Sequence, residues 1–151
     1  MSRAWQEELE TTGRFFCVPK GFSMWPMIYS KRDIVEVRRL EGEAKRYDLV
    51  LYKKEGTEQG VLHRVLHVRE KDYVIAGDNT WWKEYIAKER VVGIATRFYR
   101  KGKWYEVTNR GYRLYAHLMA DLFFLRSPLQ RCRDKARAEL GRLRKGKTGK
   151  P

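Results

Sequence analysis

Apolar and polar positions alternate along most of the chain, and the period changes after Gly111. Residues 3 to 11 are mostly polar and predict a short helix ending near Thr12-Gly13. Phe15 to Val18 predicts a short strand, and Pro19, Gly21 and Pro26 bracket a turn around Ser23. Asp33 to Arg39 sets Ile34, Glu36 and Arg38 against Val35 and Val37, the pattern of a strand with one wet face. Leu49 to Tyr52 predicts a buried strand, and residues 55–60 a hairpin connection into Val61 to Arg69, the longest β-rich segment. Glu70-Lys71-Asp72 turns into Tyr73 to Ala76, which stops at Gly77-Asp78-Asn79. Trp81 to Glu84 predicts an irregular loop, and Val91 to Tyr99 and Trp104 to Val107 predict the last two strands.

Strands recurring at short spacing between Gly-rich turns predict a mainly β fold, a coiled antiparallel sheet or barrel. Beyond Gly111, Leu114, Leu118, Leu122, Leu125 and Leu129 recur at steps of four, four, three and four, one face of a helix. Ser127-Pro128 predicts a break, with Pro128 opening a second helix to about Leu143. The chain thus divides into an N-terminal helical segment over residues 1–12 and a β domain over 13–108. A C-terminal extension of amphipathic and basic helices follows over 109–145, with a disordered end at 146–151.

At 151 residues the chain holds one core. Its 42% hydrophobic and 13% aromatic content excludes wholesale disorder. The net charge of +14 points to anionic partners, and it is uneven. From residue 126 onward ten Lys or Arg face only Asp134 and Glu139. Cys17 and Cys132 are lone thiols without metal-like spacing, which fits a reducing compartment. No secretory signal is visible. The most apolar run, Leu114 to Leu125, carries His117 and Asp121, and its length of about 18 Å falls short of the roughly 30 Å needed to span a bilayer. A cytoplasmic chain, or one peripheral to a membrane, is expected.

Ser23 lies in a turn held by Gly21 and Pro26, the setting of an exposed nucleophile. A serine hydroxyl attacks a carbonyl only when a neighbouring base takes its proton. His63 and His67 lie in one predicted strand, on the same face and about 13 Å apart, so that only one of them reaches Ser23. His117 is four residues from Asp121, a local helical pair.

The blocks Gly21-Phe22-Ser23-Met24-Trp25-Pro26-Met27, His63-Arg64-Val65 and Gly77-Asp78-Asn79, in that order, resemble the signal peptidase I family of serine peptidases. The resemblance covers roughly residues 13 to 98 and implies a coiled all-β core. It implies Ser23 as nucleophile and His63 as general base, the histidine standing where bacterial members and LexA-like repressors carry lysine, as in the archaeal and endoplasmic-reticulum branch. Asp78 is the favoured orienting or structural acid. The acid of that branch six residues beyond corresponds to Glu84, which is the rival third member. The Ser23 backbone N–H is the expected oxyanion donor, since Gly21 offers no hydroxyl. Met24, Trp25 and Met27 either line a substrate groove with Gly21 or plug the core. A peptide would lie along a strand edge, and no metal or organic cofactor is required. Members of the family are usually held by an apolar segment before the serine, where this chain has only Phe15 to Val18.

Two other readings carry weight. One is a cytosolic, LexA-like self-processing domain, although no helix-turn-helix precedes Ser23. The other is a non-catalytic basic barrel that binds nucleic acid, with Trp81 and Trp82 stacking on bases and the tail on phosphates; no specific nucleic acid is expected, because the basic residues cluster outside the β domain. The C-terminal helices are also expected to reach an anionic membrane surface or a partner.

Overall fold

A computed structural model describes residues 4–147. A short helix, α1 (Ala4–Thr12), leads into β1 (Arg14–Cys17), and the turn carrying Ser23 follows. The strands β2 (Ile34–Arg39), β3 (Leu49–Lys53), β4 (Gly60–Val68), β5 (Asp72–Ala76), β6 (Glu84–Ala87), β7 (Val91–Arg100) and β8 (Lys103–Glu106) come next. Two helices close the chain, α2 (Arg110–Asp121) and α3 (Phe123–Lys147).

All pairings are antiparallel, in the order β1-β2-β7-β3-β4-β5-β6, with β8 on the far part of β7. Among the described residues the sheet is open and does not close into a barrel: β1 pairs only with β2 and β6 only with β5. Both of its faces are packed. On one, Leu49, Leu51, Leu62, Val35 and Val37 meet Trp5 and Leu9 of α1 and Met24 and Ile28 of the serine turn. On the other, Val50, Tyr52, Val65, Tyr73, Ile75 and Ile86 form a second core. Alternation along each strand divides its side chains between the two.

Five expectations need correction. The Trp81 to Glu84 loop ends at Asn79-Thr80-Trp81-Trp82-Lys83, because Glu84 begins β6, where it lies opposite Ile75. Glu36 is not on a wet face but fully buried, paired with Arg97 and Arg38. A bulge between Val65 and His67 breaks the period of β4, so Leu66 is buried and His67 exposed. The helical break falls at Leu122 and not at Pro128, which lies inside α3. There Leu122 accepts hydrogen bonds from the backbone of Leu125 and Arg126, and the Met119 carbonyl takes one from the Arg126 side chain. The disordered end expected from residue 146 is helical at 146–147, and 148–151 lie outside the described residues. Among the described residues, no helix is long and apolar enough to cross a membrane.

Candidate active site

The serine turn is tied at its base and at its back. Lys31 donates its backbone N–H to the Pro19 carbonyl at 3.0 Å, and Gly21 donates to Ser30 Oγ at 3.1 Å. Gly21 has a φ of +94°, a conformation that costs an L side chain and not glycine. Behind the turn, the buried Asp33 accepts from the Tyr29 backbone at 2.9 Å and from Arg100 Nε at 2.8 Å. Arg100 also donates to the Pro26 and Met27 carbonyls. Burial works against the Asp33 charge, but the Tyr29, Arg100 and Arg32 hydrogen bonds hold its carboxyl below the usual range.

Ser23 is fixed from the opposite side by the Gly77-Asp78-Asn79 loop. The Asn79 backbone N–H donates to the Ser23 carbonyl at 2.7 Å, and the Asn79 side chain donates to the Phe22 carbonyl at 3.1 Å. Gly77 packs so closely that a Cβ there would lie 2.6 Å from the Ser23 carbonyl oxygen and 3.0 Å from Ser23 Cβ. Only glycine fits.

His63 arrives from β4. Arg64 stands opposite Ala76, so His63, one residue earlier, is level with Gly77, one residue later. Ser23 and His63 therefore converge on Gly77 from different elements; no hydrogen bond joins them among the described residues. His63 is 4% exposed, and its Nδ1 lies 3.1 Å from Glu84 Oε1 and 3.3 Å from the Tyr52 hydroxyl. Tyr52 donates to Glu84 Oε2 at 2.7 Å. The hydrogen bond from His63, working against burial and helped by Tyr52, holds the Glu84 carboxyl down to about 2. Burial, then the acceptor Glu84, pushes the Tyr52 hydroxyl up. An ionised carboxylate at Nδ1 sets the ring proton there and leaves the Nε2 lone pair for a substrate-side proton.

Asp78, favoured as an orienting or structural acid, does not meet His63 and takes the structural place. It takes a two-pronged contact from Arg64, Nε to Oδ1 and Nη2 to Oδ2, both at 2.8 Å, and both side chains are fully buried. Adjacent strand residues point to opposite faces, so Asp78, bound by Arg64 on one side of β4, cannot touch the ring of His63 on the other. Burial opposes the Arg64 charge, yet Asp78, then Tyr112, raise it above its ordinary range. The pair is a buried strut under the loop that holds Ser23.

The expected substrate residues divide. Met24 is 4% exposed and belongs to the core, and Met27 packs against that core. Trp25 and Phe22 are exposed at 42% and 72%, the apolar groups around Ser23 that are free to meet a ligand. Gly21, Ser23 and Met24 line a shallow cleft of about 70 Å³ with Gly60, Val61 and Leu62. Residues 60–63 of β4 pair with β3 on one side alone, because β5 joins β4 only from Arg64. An open strand edge thus borders the cleft. His67 is a surface residue, and His117 sits 3.3 Å from Asp121, away from Ser23.

Three residues at the site are absent from the sequence reading. Tyr52 completes the Glu84 cluster, Arg100 holds the back of the serine turn, and Arg126 of α3 donates to the Gly77, Asp78 and Thr80 carbonyls. Only Tyr52 leaves a trace in the sequence, as an apolar-strand residue sharing a face with Val50. The chain matches no family model, no curated protein and no solved structure.

Proposed function

We propose that the protein is a serine peptidase of the signal-peptidase type, with Ser23 as nucleophile, His63 as general base and Glu84 as the acid that orients it. The observation that carries this reading is the His63 Nδ1–Glu84 Oε1 contact at 3.1 Å, with Ser23 locked against Gly77 at the same level of the sheet. His63 Nε2 takes the Ser23 proton as Oγ attacks a peptide carbonyl, and the Glu84 carboxylate stabilises the imidazolium that forms. The proton then passes to the leaving amine, and a water repeats the sequence to release the acyl group. The Ser23 backbone N–H makes no backbone hydrogen bond among the described residues and serves the oxyanion. An extended peptide lies along the open edge of β4 with apolar side chains against Phe22 and Trp25.

The test is covalent labelling with a fluorophosphonate that carries a reporter. One label per chain on Ser23 is expected, lost in Ser23→Ala and slowed in His63→Ala and Glu84→Gln. Labelling of His63→Ala at the wild-type rate removes the dyad.

A further inference from the structure

The leucines whose period predicts one face of a helix lie on the exposed side of α2 and α3. In α2 the sheet is met by Tyr112, Ala116 and Ala120, while Leu114 and Leu118 are 64% and 45% exposed. In α3 the buried contact is Phe123, and Leu125, Leu129, Leu140 and Leu143 are exposed at 53%, 72%, 60% and 66%. Arg126, Gln130 and Arg133 attach the first turns of α3 to the Gly77–Thr80 loop, which fixes which side of the helix faces away.

Leu125, Leu129, Cys132, Ala136, Leu140 and Leu143 follow steps of four, three, four, four and three. At 3.6 residues per turn they form a single stripe about 27 Å long. Lys135 and Arg137, both exposed, fall on its two flanks, with the exposed Arg142 beyond. The whole segment from residue 126 carries ten basic residues against two acidic ones.

This combination selects its occupant. A second copy laid along the stripe brings two strongly cationic helices side by side, and like charges repel. A nucleic acid satisfies the arginines and lysines but leaves a stripe of leucine in water. An anionic lipid surface satisfies both, taking the leucines into the acyl boundary and the cations into the headgroup layer. We infer that α3 is an in-plane anchor that seats the protein on an anionic membrane surface. The inference is independent of whether Ser23 is a nucleophile.

The full chain is sedimented with vesicles of phosphatidylcholine, or of phosphatidylcholine with phosphatidylserine. Binding is expected to the anionic vesicles only, falling about tenfold or more in Leu125→Ser/Leu129→Ser/Leu140→Ser and in Lys135→Glu/Arg137→Glu/Arg142→Glu. Because the triple variants alter helix α3 itself, a second measurement uses the otherwise unchanged chain with an environment-sensitive dye on Cys132. That thiol is exposed, whereas Cys17 is buried, its thiol pushed up to about 12 by burial. A blue shift with anionic vesicles is expected. Unshifted emission, equal sedimentation of the leucine variant and wild type, or a lipid-free dimer that the leucine variant abolishes would each overturn the inference.

Discussion

Glu84 reaches His63 across two strand pairings, 3.1 Å from Oε1 to Nδ1, although β6 and β4 are not neighbours in the sheet. The contact exists because Glu84 stands opposite Ile75 and shares its face, while His63 shares the face of Val65. Glu84→Gln keeps the size and removes the charge. Labelling of Ser23 by the phosphonate is expected to slow by about a hundredfold to ten-thousandfold, with unchanged circular dichroism. Asp78→Asn, by contrast, acts on stability before it acts on rate.

Gly77→Ala tests the other half of the site. The new methyl meets the Ser23 carbonyl at 2.6 Å, on backbone that is itself tied by the Asn79 N–H. Ser23 has to move, and a displacement of that order costs about a hundredfold in rate. Labelling kinetics at saturating probe, beside a urea melt, separate misplacement from unfolding.

The Arg64–Asp78 pair has no exposure on either side. Arg64→Met alone leaves a buried carboxylate without its partner and is expected to cost about 3 to 5 kcal/mol in chemical denaturation. Arg64→Met with Asp78→Leu is expected to recover most of that loss, while Ser23 labelling stays impaired because the loop has lost its strut. A double variant no more stable than the single one contradicts this.

Acid tests the Glu84 cluster. Its folded carboxyl sits near 2, below the roughly 4.3 of an unfolded glutamate, so the bound proton favours the unfolded chain. The stabilisation is therefore present above about pH 4.3 and is lost as pH falls toward about 2. Melting temperature measured over that window is expected to fall more steeply for the wild type than for Glu84→Gln. Parallel curves exclude the assignment.

Most of the sheet is legible in the sequence because its central strands carry apolar residues toward two packed faces, as with Val50 and Tyr52 against Leu49 and Leu51. Glu84-Tyr85-Ile86-Ala87 alternates in the same way, but it follows two tryptophans and is only four residues long, too short for the pattern to stand out. As a strand it sets Glu84 and Ile86 on one face, the face on which Glu84 meets His63. Asp78 has the stronger local context, but Arg64 in an apolar run signals its partner: a buried arginine needs a carboxylate. Glu36 misled for the same reason, since a charged residue in alternation looks solvated unless its arginines, here Arg97 and Arg38, are known. The leucine period places one face of a helix; the structure interrupts that run at Leu122 and leaves the face exposed. Periodicity marks an apolar stripe without saying whether protein covers it, and Ala116 and Ala120 pack closer to the sheet than leucine would.

The first turns of α3 are pinned to the loop behind Ser23, and residues 135–143 further along it are exposed. Mechanically that makes α3 a lever with its short arm at the serine. Whatever seizes the long arm pulls on the Gly77–Thr80 carbonyls through Arg126 and Gln130, and the hydrogen bond that carries the pull to Ser23 itself is the Asn79 amide, beside the Asn79 side chain on Phe22 and the packing of Gly77. Hydrogen exchange at that amide, with the long arm free and then held, measures how much of the load arrives; exchange that does not change means the lever is uncoupled.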